Sequence, residues 1–273
     1  MDYDNGSLRS LDLQRGDSLE QVVPEALARG RFSIEVWRVL ISRDYAADRE
    51  FQVAYHGIDC FGEPVHPPPL SALPAKRWLA YGSSITHGAG ATVHSSSYIQ
   101  QAARRLGVDV LNKGLGGACL CEPEVAAHFA DLDTWDWATL ELGVNMRGLF
   151  TTAQFEQRAR AFVQRMLRPG KPVVLIDMFP NASDYAANPN DPMRDVNREF
   201  REALWRIHDE CANPKLHIIS GEQLLPVLRL LTVDLIHPSD DGHIEMGRLL
   251  AERLRRLLPE HTAVDPAVTN YGR

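Results

Sequence analysis

Cysteine is scarce in this chain: Cys60, Cys119, Cys121 and Cys211 are the four among 273 residues. That is too few for a disulfide scaffold. Cys119 and Cys121 stand one residue apart, which is not the CxxC spacing of a zinc site. The cysteines therefore read as small buried thiols in a reducing compartment. Long apolar runs are also missing, and nothing approaches the ~20 residues that cross a bilayer. The opening stretch "MDYDNGSLRSLDLQRGDSLE" has neither the basic start nor the apolar segment of an export signal, so a cytoplasmic location is expected. Positive charge is short as well: 29 Lys and Arg stand against 36 Asp and Glu, a net charge of −7. That balance argues against a nucleic-acid partner, whose phosphates need a basic face. With no apolar span, no membrane partner is expected either. No internal repeat, HExxH or paired-histidine helix spacing occurs, so a zinc hydrolase built on His87, His94, His237 and His243 is set aside.

What is present suits a folded enzyme-sized chain. The sequence is 44% hydrophobic and 24% charged, enough to bury a sizeable core. One composition break divides it. "EPVHPPPLSALPAK" (63–76) holds five prolines and reads as an extended connector. Before it, "RFSIEVWRVLIS" (31–42) and "EFQVAYHGI" (50–58) alternate like strands around a polar turn, which predicts a hairpin. Residues 1–74 are thus expected to form a small β-rich domain, and 75–273 the main domain. The smaller part is marginal for an independent core, so it is expected to pack on the larger part or on another subunit in a homo-oligomer.

The larger part alternates strand and helix. Strands are predicted at 77–82, 108–114, within 134–145, at 171–179 and at 215–220. Helices are predicted at 97–107, 151–170, 193–212 and 239–258. In the second of these, Phe155, Ala159, Phe162, Val163, Met166 and Leu167 share one stripe, and Thr151 with Gln154 has the form of a capping box. This alternation predicts an α/β sandwich over a parallel sheet. Sites in such folds form at the carboxyl ends of the strands.

Four polar motifs fall at such ends. Gly82-Ser83-Ser84-Ile85-Thr86 follows the first strand. A serine there either exposes its hydroxyl at the sheet edge or caps the next helix. Asn112-Lys113-Gly114-Leu115-Gly116-Gly117 follows the second strand. It is neither a dinucleotide GxGxxG nor a P-loop, and reads either as a plain Gly-rich turn or as a close backbone approach to a ligand. Asn145 follows the third strand and can donate its amide into a site, or serve as a turn residue. Asp234-Leu235-Ile236-His237-Pro238 precedes the last helix. Its spacing lets a carboxylate hold one imidazole nitrogen while the other faces outward, the orienter and base of a triad.

In that order the four blocks resemble those of the SGNH (GDSL-type) hydrolases. "GSSITHG", "NKGLGGA", "LGVNM" and "DLIHP" carry the likeness, which covers residues 77–258. "YGSSITHGAG" and "GVNM" resemble the subgroup in which a small β-sandwich precedes the hydrolase domain. The resemblance implies a flavodoxin-like three-layer α/β/α domain and a serine esterase. It implies Ser84 as nucleophile, His237 as base, Asp234 as orienter, and Ser84, Gly117 and Asn145 as oxyanion donors. No cofactor or metal is implied. The family's usual aspartate before the serine is Ser83 here, and its usual aspartate after the asparagine is Met146. The chemistry is self-consistent: a serine hydroxyl needs a base, the imidazolium a counter-charge and the oxyanion donors. A short acyl ester, in particular an acetyl group on a sugar, is the expected substrate, with "DMFPNASDYAANPNDPM" (177–193) bordering the site. The alternatives are an acyltransferase working through the same acyl-enzyme and a non-catalytic carbohydrate-binding protein. Trp135, Trp137 and Trp205 motivate the latter, although tryptophans more often fill a core.

Overall fold

Five short runs rich in β-branched, aromatic and leucine side chains build one parallel sheet. They are β1 (Arg77–Gly82), β2 (Asp109–Gly114), β3 (Trp137–Glu141), β4 (Val173–Ile176) and β5 (Leu216–Ile219). Their order across the sheet is β2-β1-β3-β4-β5, the flavodoxin-like arrangement. The computed structural model describes residues 62, 64–69, 73–185 and 190–262. The β-rich domain expected over 1–74, with its hairpin, lies outside them except for a few residues of the connector. Residues 64–69 of that connector are exposed and without regular structure, as five prolines in fourteen residues dictate.

The central strands β1, β3 and β4 are buried on both faces, and alternate side chains feed two cores. Leu79, Tyr81, Ala138, Leu140, Val173 and Leu175 face α3 (Pro123–Asp131), α4 (Thr152–Leu167) and α5 (Pro192–Cys211). Trp78, Ala80, Trp137, Val174 and Ile176 face α2 (Tyr98–Leu106) and α6 (Asp240–Leu257). The predicted stripe on α4 is the buried one, with Leu167 at its half-buried end. Thr151 and Gln154 form a reciprocal capping box, the Thr151 hydroxyl taking the Gln154 amide and the Gln154 side chain taking the Thr151 amide. Gly107 ends α2 in the left-handed conformation. Helix α3 was not expected from the sequence. It is short, and the residues it buries are Ala126 and Phe129. The fourth strand was expected to run to 179 but stops at Ile176, because β5, its neighbour, ends at Ile219. Asp177, Met178 and Phe179 continue as buried irregular chain.

The α2–α6 interface is unusually close at one point. A Cβ on Gly247 would collide with Gln101 Cβ and lie 2.9 Å from the Tyr98 carbonyl oxygen. Helix propensity alone favours alanine over glycine by about 1 kcal/mol, whereas overpacking costs about 1–3 kcal/mol. We expect Gly247→Ala to be net destabilising. A lower urea midpoint at unchanged m-value would show it, and an unchanged or higher midpoint would mean that the helices separate freely.

Candidate active site

The nucleophile turn begins where β1 stops. The strand runs into α1 (Ser84–His87), a single helical turn, and Ser83 is its N-cap. Ser83 Oγ accepts from the Ile85 amide at 3.1 Å. The two roles open to a serine here are thus divided between neighbours: Ser83 caps, and Ser84 is left to point outward. The turn can be this tight because residue 82 is glycine. A Cβ there would strike the Thr86 hydroxyl and lie 2.6 Å from Glu141 Oε2. From the side, Asn112 stitches the turn to β2 by donating to the Thr86 carbonyl at 2.8 Å.

The partner loop closes on itself. Thr232 N donates to the His237 carbonyl and Ser239 N to the Leu230 carbonyl, both at 2.8 Å. Between them Leu235 adopts a positive φ of 55°. Asp234 Oδ1 accepts from Thr232 Oγ1 at 2.7 Å and from the Ile236 and His237 amides at 2.9 Å each. Asp234 Oδ2 lies 2.5 Å from His237 Nδ1. Partial burial opposes ionisation of this carboxyl, but the hydrogen bonds from His237, Thr232 and Ile236 outweigh it and hold the group well below the usual carboxylate range. Asp234 is therefore an acceptor only, so Nδ1 carries the ring proton and Nε2 presents its lone pair. That Nε2 lies 2.8 Å from Ser84 Oγ. The three residues proposed from sequence as a triad form one unbroken chain of hydrogen bonds.

The glycine loop after β2 packs against the serine: a Cβ on Gly116 would meet Ser84 Cβ at 3.8 Å. Gly117 follows with a φ of 71°, and a side chain there would meet open space. Conformation rather than crowding requires that glycine. Among the described residues, no partner is recorded for the amides of Ser84 and Gly117, as befits donors reserved for a ligand. Asn145 reaches the same loop, its side-chain amide donating to the Ala118 carbonyl at 2.5 Å. One amide hydrogen is occupied in this way and the other is left.

Sequence reasoning missed two groups. Thr232 completes the set of donors on Asp234. Glu141 ends β3 and lies 1% exposed beneath the nucleophile turn, where it accepts from the Ser83 amide. A signal existed for Glu141: it is the one charged residue in the buried run Trp137–Glu141. The other histidines stay apart. His87 is exposed at the end of α1 and contacts the Gly114 carbonyl. His243 is buried and ties α6 to the site, taking the Tyr98 amide on Nδ1 and giving Nε2–H to the Ala89 carbonyl. Burial pushes its imidazole down to about 4, so it stays neutral. Among the described residues no three His, Cys, Asp or Glu side chains converge as a metal site would require. Nor is any described helix long and apolar enough to cross a membrane. Residues 177–185 border the triad loop, the Ala182 amide donating to the Leu235 carbonyl at 2.7 Å. Much of this loop is buried rather than solvated, because Arg201 binds Asp184, and Asn197 binds both Asp184 and Asn181.

Known proteins resemble this domain. A Bacteroides ovatus protein described as a GDSL-like lipase superposes with a TM-score of 0.59 at 25% identity, over 67% of this chain and 54% of that one. Salicylyl-acyltransferase SsfX3, from a tetracycline biosynthetic pathway, gives 0.55 at 22% identity, over 69% and 55%. A carbohydrate esterase family 2 enzyme with a carbohydrate-binding domain, from Corynascus thermopiles, gives 0.55 at 18% identity, over 72% and 69%. The chain spans about half the length of the first two, and the likeness to the last two is one of fold. No curated protein matches the sequence. Residues 75–255 match the profile of the GDSL-like lipase/acylhydrolase family, and with that span covering the sheet and every site residue, the chain belongs to this family.

Proposed function

We propose that the protein is a serine esterase that cleaves short acyl esters, with acetyl esters of carbohydrates as the substrate class to test first. The observation that carries this reading is the hydrogen-bonded line Asp234–His237–Ser84 beside two amides without internal partners. As the Ser84 oxygen attacks the ester carbonyl, its proton passes to His237 Nε2, and Asp234 stabilises the imidazolium through Nδ1–H. The Ser84 and Gly117 amides and the free hydrogen of Asn145 face the developing oxyanion. His237 returns the proton to the leaving alcohol, the acyl-enzyme forms, and water activated by His237 hydrolyses it.

Gly116 and Gly117 beside the serine are exposed and carry no side chain, which is compatible with a shallow site and a small acyl group. A carbohydrate esterase sharing the fold is compatible with a sugar as the alcohol. An acyltransferase reading uses the same acyl-enzyme and differs only in the acceptor; the shared fold of a salicylyl-acyltransferase keeps it as the second reading. The pure binding-protein reading loses part of its motivation, since Trp135 and Trp137 are buried in the core. Trp205 is 40% exposed, with its indole N–H held by Asp177 at 2.8 Å.

With p-nitrophenyl acetate as substrate, Ser84→Ala is expected to abolish turnover. Asp234→Asn should lower kcat by about 10⁴-fold through the wrong imidazole tautomer, and Asn145→Ala by about 10²–10³-fold. Retention of full activity by a folded Ser84→Ala protein would remove the nucleophile from this scheme. Chain length gives an independent check: acetate should be cleaved readily and octanoate poorly. The opposite preference in initial rates would rule out the short-acyl assignment while leaving the triad intact.

A further inference from the structure

The role assigned to Asp234 leaves a second carboxyl unexplained. Glu141 is 1% exposed, at the end of a strand whose other residues are all uncharged. Its Oε2 accepts from the Ser83 amide at 2.7 Å, the Ser83 hydroxyl at 2.7 Å and the Thr86 hydroxyl at 3.1 Å. Thr86 is in turn paired with the Tyr98 hydroxyl at 2.7 Å. All these donors lie on or behind the turn that presents Ser84. The other oxygen, Oε1, is buried with no partner. An amide or a hydroxyl would fix the turn with less desolvation, and a carboxylate with one bare oxygen in a dry site is destabilising unless a charge answers it.

The groups around it show what answers it instead. From α2 comes Tyr98, and from the loop after β2 comes Cys119, whose thiol donates to the Glu141 carbonyl at 3.3 Å. Burial and then nearby negative groups raise both of their pKa values well above ordinary, so both stay neutral. His243, stacked on Tyr98, is neutral as well. Asp177, at the end of β4, is turned to the Gly221 amide and the Trp205 indole. None of these carries a positive charge, so what answers the carboxylate is the set of N–H and O–H dipoles of the turn, from Ser83 and Thr86.

We propose that Glu141 is a positioning residue with a charge that matters. It clamps the nucleophile turn through Ser83 and Thr86, and in its ionised form it is the stronger acceptor for their three hydrogen bonds. The proposal rests on Ser84 being the nucleophile. Burial pushes the Glu141 carboxyl up to about 7, against the pull of its Ser83 and Thr86 hydrogen bonds. Its ionisation therefore falls near neutral pH. The sign for stability follows. The folded-state pKa lies above the unfolded value, so this group's contribution is full below the ordinary glutamate pKa and is lost as pH rises through about 7. The clamp is loaded at the expense of stability and in favour of rate.

The test is the pH dependence of kcat/KM for p-nitrophenyl acetate in the wild type, Glu141→Gln, and the double variant Ser83→Asp/Glu141→Gln, with Ser84→Ala as the blank. The double variant moves the carboxylate across the 2.7 Å contact while keeping an amide opposite it. In the wild type the acid limb should be steeper than a single ionisation allows, because the base must be deprotonated for turnover and deprotonation of the clamp raises the rate further. In Glu141→Gln the slope should drop to about one and the plateau by about tenfold, the size of one charge-assisted hydrogen bond made neutral, with KM little changed. The double variant should recover most of the plateau. Thermal unfolding run alongside should show the loss of stability from pH 5 to 8 smaller in Glu141→Gln than in the wild type. A wild-type limb of slope one overturns the proposal without any variant, even if Glu141→Gln does not fold. So does a Glu141→Gln protein with the wild-type profile, or a fallen plateau that the double variant does not restore. Activity retained in Ser84→Ala would instead overturn the nucleophile reading, and this proposal with it.

Discussion

Parallel register is the constraint on which the site depends. Because all five strands run the same way, their carboxyl ends meet at one edge. Gly82 pairs with Gly114 on one side of β1, and Tyr81 with Leu140 on the other. Glu141 continues that line to Ile176 and Ile219. The serine turn, the glycine loop and the asparagine turn therefore leave the sheet as neighbours, though tens of residues separate them in sequence. A one-residue slip of β3 would exchange its two faces and carry the Glu141 side chain to the other core. The hydrophobic run that fixes the register thus also fixes where the chemistry can occur.

The second constraint is close approach. At this edge the backbone of β1 turns back over β3 with room for no side chain at residue 82, which is why the clamp on Ser83 can be so short. The triad loop needs no such help from the sheet. It is a closed turn held by its own backbone pairs and by three donors on one aspartate oxygen. Its fixed contacts to the rest are few, notably the Ser84–His237 pair and the Ala182–Leu235 hydrogen bond. The proposed nucleophile and its base thus belong to separately rigid pieces, one built into the sheet and one self-contained. Their 2.8 Å contact depends on how α6 seats, and His243 fixes that seating by bonding both Tyr98 and Ala89.

Much of this was legible in the sequence, for reasons that differ from residue to residue. Strand and helix period gave the five-stranded sheet and four of its long helices, since two-sided burial leaves continuous apolar runs and one-sided burial leaves stripes. Helix α3 escaped because it is short and two of its nine residues, Ala126 and Phe129, are buried, too few to mark a stripe. Ser84, Asp234 and His237 could be named because residue type and spacing carry their chemistry. Their meeting at hydrogen-bond distance is tertiary information that no spacing contains. Thr232 and Glu141 went unread for the same reason. A threonine two residues before an aspartate is common, and a glutamate at a strand end reads as a surface residue until the strand is known to be buried on both faces.

Seen together, the two carboxyls of the site are opposites. Asp234 sits in an open turn with every lone pair engaged, and its hydrogen bonds hold it ionised. Glu141 sits in a dry pocket with one oxygen bare, and burial drives it toward neutrality. One holds the imidazole and the other holds the turn that carries Ser84. When two titratable groups of the same kind are pushed apart by their surroundings, they are suited to different tasks. The low one orients the base at every working pH, and so contributes nothing to pH dependence there. The high one is the group whose charge can still change, and it holds the backbone that presents the nucleophile. On the proposed roles, the buried glutamate is the group through which pH acts on this site beyond the base itself.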